Sequence, residues 1–67
     1  MMFYISYKDE YYFINISTDL MVKDLIEKIK EKRIKDKSKI TLISENGNSL
    51  KDNDYLYNHT YKILKVL

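Results

Sequence analysis

Between residues 20 and 33 the apolar side chains change their spacing. On either side of that stretch they alternate at every second position. Within it, Val22, Leu25, Ile26 and Ile29 recur every third or fourth, and Lys or Glu fills most of the rest. That pattern is one amphipathic helix with a single apolar stripe, and a lone stripe has to be covered by another layer. The chain has 67 residues and no cysteine, so no disulfide or thiolate metal site can staple it. A domain of this size buries only about 60% of its unfolded surface. The cover must therefore be a sheet built from the flanking segments, in one domain spanning residues 1–67.

The flanks supply that sheet. Residues 1–7 alternate with Met1, Phe3 and Ile5 on one face and Tyr4 and Ser6 on the other, which predicts a strand. Residues 11–17 alternate in the same way, and the short charged break Lys8-Asp9-Glu10 makes the two a hairpin, with its turn type left open by the lack of glycine. Ser17, Thr18 and Asp19 offer N-cap side chains for the helix. Asp24 and Lys28 form a favourable i,i+4 pair, and Lys32, Arg33 and Lys35 suit the negative end of the helix dipole. Residues 40–44 predict a third strand. Asn46-Gly47 is a hairpin signal, Ser49-Leu50 a brief further strand, and Tyr55-Leu56-Tyr57 a helical turn or loop with Leu56 inward. Residues 61–67 are the final strand. The expected fold is α+β: a ββαββ mixed sheet packed on one amphipathic helix, with the first and last strands side by side in the middle.

In order and spacing these pieces resemble ubiquitin and the ubiquitin-like proteins. Met1-Met2-Phe3-Tyr4-Ile5 is similar to that family's first strand, and Met21 to Ile29 to the start of its helix. Leu42-Ile43, Asn46-Gly47, Leu50, Lys51-Asp52 and Leu56 follow its strand, turn, strand and loop, and Leu64 to Leu67 its last strand. The resemblance covers nearly the whole chain and implies the β-grasp fold. Members that are conjugated to other proteins close with a flexible Gly-Gly tail. Here the chain stops at Leu67 within a predicted strand, and Gly47 is the only glycine. The segment between Leu56 and Leu64 is about three residues shorter than in ubiquitin and lacks the Tyr and Ile that pin that loop. In the first turn Lys8 and Asp9 stand where the family carries an apolar residue.

Function is then read by elimination and by surface. A deep pocket is hard to build at this size, His59 is the only histidine, and neither Ser44 nor Ser49 has an obvious base, so an enzyme is not expected. Asp52-Asn53-Asp54 is too short for a calcium loop, and no cofactor, metal or small-molecule substrate is expected. No run approaches the ~18 apolar residues of a membrane span, and the N-terminus does not read as a signal peptide. The expected location is the cytoplasm, with the nucleus open to so small a chain. Residues 23–39 carry a local charge of +4, and Lys28, Lys32, Arg33 and Lys35 form a basic patch. The interspersed acids favour a solvated helix face over a nucleic-acid site. Lys, Ile, Tyr, Asn, Met and Phe make up 37 of 67 residues, which points to an A+T-rich genome such as that of a protist, a low-GC bacterium or a large DNA virus.

The strongest functional signal is the outward sheet face. If Met1, Phe3, Ile5, Tyr12, Ile14, Ile16, Ile40, Leu42, Leu64 and Val66 point at the helix, alternation sends Met2, Tyr4, Phe13, Ile43, Ile63, Lys65 and Leu67 outward. An apolar patch of that kind marks an interface, for a protein partner or a second copy. By the resemblance, Ile43 falls at the central isoleucine of ubiquitin's recognition patch, with Lys65 and Leu67 beside it. The expected protein-binding residues are Tyr4, Phe13, Ile43, Ile63, Lys65 and Leu67. The expected function is non-covalent protein binding, as a ubiquitin mimic or a module of a larger assembly. The alternatives are a modifier whose Gly-Gly tail lies outside this sequence, and a nucleic-acid binder using the basic helix. A carboxylate on Leu67 at a strand end is a poor substrate for an activating enzyme. No thioester should form in a reconstituted activation assay, and a Leu67-linked isopeptide in a mass spectrum would refute that.

Overall fold

The structure is a computed structural model, and it describes residues 2–35, 37–59 and 63–67. Among them are β1 (Met2–Tyr7), β2 (Glu10–Asn15), α1 (Val22–Lys32), β3 (Leu42–Ile43), a 3₁₀ turn (Leu56–Asn58) and β4 (Ile63–Val66). The four strands form one mixed sheet in the order β2-β1-β4-β3. β1 and β4 run parallel in the middle, and the outer strands are antiparallel to their neighbours. This small α+β domain, with one helix laid across a mixed sheet, is compatible with a β-grasp.

The core is the inward set of the alternation. Phe3, Ile5, Ile14, Ile16, Ile40, Leu42, Leu64 and Val66 are buried with Val22, Leu25 and Ile29 of the helix, and Leu50 and Leu56 close it from the loops. Met1, expected to join them, and Tyr61 and Lys62 of the expected last strand lie outside the described residues. Two expected core members are only half-buried. Tyr12 is covered by Arg33, whose guanidinium carbon lies 5.3 Å from the ring centre. Ile26 sits at the margin of the stripe. Ile34 is buried although it follows the helix in a charged run. The amides of Arg33 and Ile34 both donate to the Ile29 carbonyl, at 2.9 and 3.0 Å, and this tight exit drives Ile34 inward.

The start of the helix corrects the sequence reading. Ser17, Thr18 and Asp19 do not cap it. Met21 is the N-cap residue, and its amide donates to the Asp24 carboxylate at 2.9 Å, a reaching-back bond of the capping-box kind. The next two amides find distant partners: Val22 N donates to Asp54 O at 2.8 Å and Lys23 N to Asp52 O at 3.1 Å. Leu56 N donates to Leu20 O and Tyr57 N to Thr18 O, so residues 18–22 lie along 52–57. Ser17 turns instead to the Asp19 carboxylate.

The turns also resolve. Tyr7 pairs with Glu10, leaving a two-residue loop in which Lys8 and Asp9 have φ of +49° and +65°. Two positive φ values define a type I′ turn, the form whose twist suits a hairpin. In the second hairpin Ile43 bridges Ser49, and Gly47, at φ +86°, takes the left-handed position of a three-residue loop. Gly47 N donates to Ser44 O at 2.9 Å, Ser44 N to Asn48 O at 2.9 Å, and Asn48 N to the Ser44 hydroxyl at 3.3 Å. These bonds take Ser44 out of the ladder, so the strand expected over 40–44 shortens to Leu42–Ile43, and the strand expected at 49–50 is one bridge.

Leu25 has no exposed surface. Leu25→Ala should cost about 2–5 kcal/mol, a large fraction of what so small a domain holds, and chemical denaturation will read it. Replacing Lys8-Asp9 by Asn-Gly should stabilise the fold by about 1 kcal/mol, read by chemical denaturation, because Asn tolerates and Gly freely adopts the left-handed backbone that the turn imposes.

Candidate interaction surface

Register fixes which outward side chains meet. Tyr4 of β1 is paired with Phe13 of β2 on one side and with Ile63 of β4 on the other. These three make a row across the sheet, and the rings of Tyr4 and Phe13 meet edge to face with centroids 4.7 Å apart. All three are exposed, Phe13 most at 59%. Met2, two residues before Tyr4 on the same face, extends the row towards Asn15 at 52% exposure.

The neighbouring row is more polar. Tyr11 pairs with Ser6, Ser6 with Lys65, and Lys65 with Ile43. Ile43 is therefore on the outward face but on an edge strand, half-buried, with the Lys65 chain between it and the centre. Leu67 lies beyond the end of β4, where its amide donates to Thr41 O at 3.1 Å, and it is well exposed. All six expected binding residues thus share one side of the sheet. Its apolar centre is Tyr4, flanked by Phe13 and Ile63, instead of Ile43. Sequence alone could not place that centre, because it depends on which residue of β4 lies beside β1.

The basic patch disperses. Lys28 Nζ is held by the Asn15 carbonyl at 2.7 Å, and Arg33 is laid over Tyr12. Lys32 and Lys35 are exposed. Lys28 and Lys32 share a groove with Asp24, Glu27 and Glu31, which offsets their charge. A second depression of about 160 Å³ has Lys23, Lys30 and Lys39 around Ile26 and Leu50; in it the Lys30 ammonium donates to Ser38 O at 2.7 Å. His59 Nε2 lies 3.3 Å from Asp54 Oδ2, tying the 3₁₀ turn to the loop that caps the helix. Among the described residues no cluster of His, Asp or Glu could hold a metal ion, and no helix is long and apolar enough to cross a membrane. One pair escaped the sequence reading: Tyr55 and Tyr57 stack with centroids 5.2 Å apart, both exposed, on the turn that carries Leu56.

The sequence matches no known protein family and no curated protein.

The Tyr12 phenol has a raised pKa. Its hydroxyl donates to the Glu10 carboxylate, and that bond, with partial burial and the nearby negative charge, raises it above its ordinary value of 10, while Arg33 opposes the rise. The folded pKa is the higher one, so the contribution is present below pH 10 and fades as the phenol ionises. Glu10→Gln should bring the Tyr12 titration back towards its ordinary value in a ring-resonance pH series.

Proposed function

We propose that this chain is a ubiquitin-like, β-grasp domain that acts as a non-covalent protein-interaction module and docks a partner on its outward sheet face. The observation that carries the reading is the row Phe13–Tyr4–Ile63, which is apolar, lies on three adjacent strands, and has two rings already in contact. Aromatic residues and Met are enriched where interfaces are fully desolvated. Rings with few rotatable bonds bury area with little loss of freedom. Covering the face releases about 25 cal/mol per Å² of apolar surface. Lost translational and rotational freedom offsets much of this, so the expected affinity is weak to moderate. Lys65 and Ser6, beside the row, supply polar contacts that fix orientation. The central parallel pair and the crossing helix support the ubiquitin-like assignment, as does the order of elements along the chain. In its narrowest form the reading is a ubiquitin mimic, with Ile43, Lys65 and Leu67 standing where the family's recognition patch lies.

Nucleic-acid binding by the helix is the competing reading, and the dispersal of Lys28 and Arg33 onto Asn15 and Tyr12 weighs against it. Capture from source lysate with the immobilised domain separates the two. Tyr4→Asp drives a carboxylate into the apolar contact and should abolish capture of a protein partner; loss of the ring contact with Phe13 costs about 1 kcal/mol, so the domain should stay folded with its melting midpoint lowered by several degrees. Ile43→Asp should weaken it less, and Lys32→Glu hardly at all. Loss with Lys32→Glu, and none with Tyr4→Asp, would move the functional surface to the helix.

A further inference from the structure

β2 is the outer strand on one side of the sheet, and it is unlike a guarded edge. It runs six residues in unbroken register with β1, without proline or lysine. Natural edges are usually shortened, bulged or charged to prevent pairing. The opposite edge strand, β3, has two residues, and Ser49 bridges Ile43 there.

The hairpin shows which backbone groups β2 presents. A two-residue turn closed by Tyr7 and Glu10 makes those residues a hydrogen-bonded pair. Pairing alternates along an antiparallel ladder, so Ile5–Tyr12 and Phe3–Ile14 are bonded too. Tyr11, Phe13 and Asn15 therefore turn their N–H and C=O groups away from β1. The bond from Lys28 Nζ to the Asn15 carbonyl fits that direction. At Tyr11 and Phe13 the outward backbone groups have no partner among the described residues.

The geometry points to a second copy of this chain on that edge, its β2 antiparallel to the first about a two-fold axis at Tyr12. In this register Tyr11 of each copy opposes Phe13 of the other. Both residues present their backbone groups outward, so the two pairs exchange four N–H···O=C bonds, and the sheets join into one. On the outward face the Tyr11 and Phe13 rings of both copies come together beside Tyr4. On the helix side, Glu10 of each copy falls opposite Ile14 of the other, next to the Lys28 that caps Asn15. The strand is acidic where it starts and carries a cation where it ends. Only antiparallel pairing brings those ends together, and it does so twice. That self-complementarity is why a copy fits this edge better than an unrelated strand. Each Arg33 approaches the axis over its own Tyr12 ring, and the Glu10 carboxylates offset the two positive charges.

Sedimentation velocity from low micromolar to millimolar concentration tests the proposal on the whole chain. The wild type should dimerise. Phe13→Pro removes the N–H that bonds the copy while sparing the β1 ladder, and it should be monomeric with an unchanged far-ultraviolet spectrum. Phe13→Ala keeps the N–H and loses only the ring's share, so its dimer should be weaker than that of the wild type and clearly tighter than that of Phe13→Pro. Lys28→Glu should weaken the dimer about tenfold, equivalent to about 1.4 kcal/mol, and Glu10→Lys in the same chain should restore it. Amide exchange on the wild type gives a readout that needs no variant: Tyr11 and Phe13 should exchange at least tenfold more slowly at the high concentration than at the low one. A wild type that stays monomeric at millimolar concentration overturns the proposal, as does a dimer whose Tyr11 and Phe13 amides remain unprotected. Phe13→Ala as disruptive as Phe13→Pro would also overturn it, by placing self-association on the sheet face. Partner capture is read separately through Tyr4→Asp, which leaves the backbone groups of the β2 edge untouched, so the two readings fail separately.

Discussion

The parallel pairing of β1 with β4 is the constraint on which the remainder depends. Tyr4, Ile5 and Ser6 lie beside Ile63, Leu64 and Lys65, residues nearly sixty positions away in the chain. Without that pair the sheet is two unrelated ribbons, and Phe3, Ile5, Leu64 and Val66 have no common face to offer the helix. The same pair sets the outward side, since it puts Ile63 against Tyr4 and Lys65 against Ser6. Parallel strands need a long crossover between them. Here that crossover contains β2, the helix, β3 and the 3₁₀ turn, so most of the described elements lie between the two strands that end up side by side.

The helix shows how far local chemistry needs help from that closure. Its stripe is enough to bury Val22, Leu25 and Ile29, but its first free amides are met by carbonyls of Asp52 and Asp54, from the other half of the chain. A helix of eleven residues is marginal alone. The loop that satisfies it is in turn pinned by Leu56 in the core and by His59 against Asp54. Helix, loop and central strands therefore stabilise one another, which is the arrangement that gives small domains a single cooperative transition.

This explains what was legible in the sequence. Period two and period 3.6 are local, so the strands, the helix and nearly all of the inward set can be read directly. Caps and exits are not local here: Ser17 and Asp19 look like a helix start, but carbonyls of a distant loop meet the amides they would have served. Ile34 was hidden in a charged run because its burial follows from how the chain leaves Ile29. The outward set was legible residue by residue, yet its centre was not. Tyr4 is the middle of the apolar row, and Ile43 the end of the more polar row beside it, only through a register that spans the chain. The resemblance to ubiquitin pointed at Ile43, and the pairing shifts the weight to Tyr4.

The position of β4 has a consequence for biosynthesis. The β1–β2 hairpin leaves the ribosome first, and the slot beside β1 stays empty until residues 63–66 have been made. At about 5–20 residues per second, translating the stretch between the hairpin and β4 takes several seconds, far longer than the microseconds in which a hairpin forms. Whenever the hairpin forms in that interval, Phe3, Ile5 and Ile14 are uncovered on one side and Tyr4 and Phe13 on the other, with both edges open. Nascent chains on the same message carry identical ribbons close together. Closure of the sheet therefore waits on its last strand, and until then pairing with a neighbour's hairpin competes with pairing inside the chain.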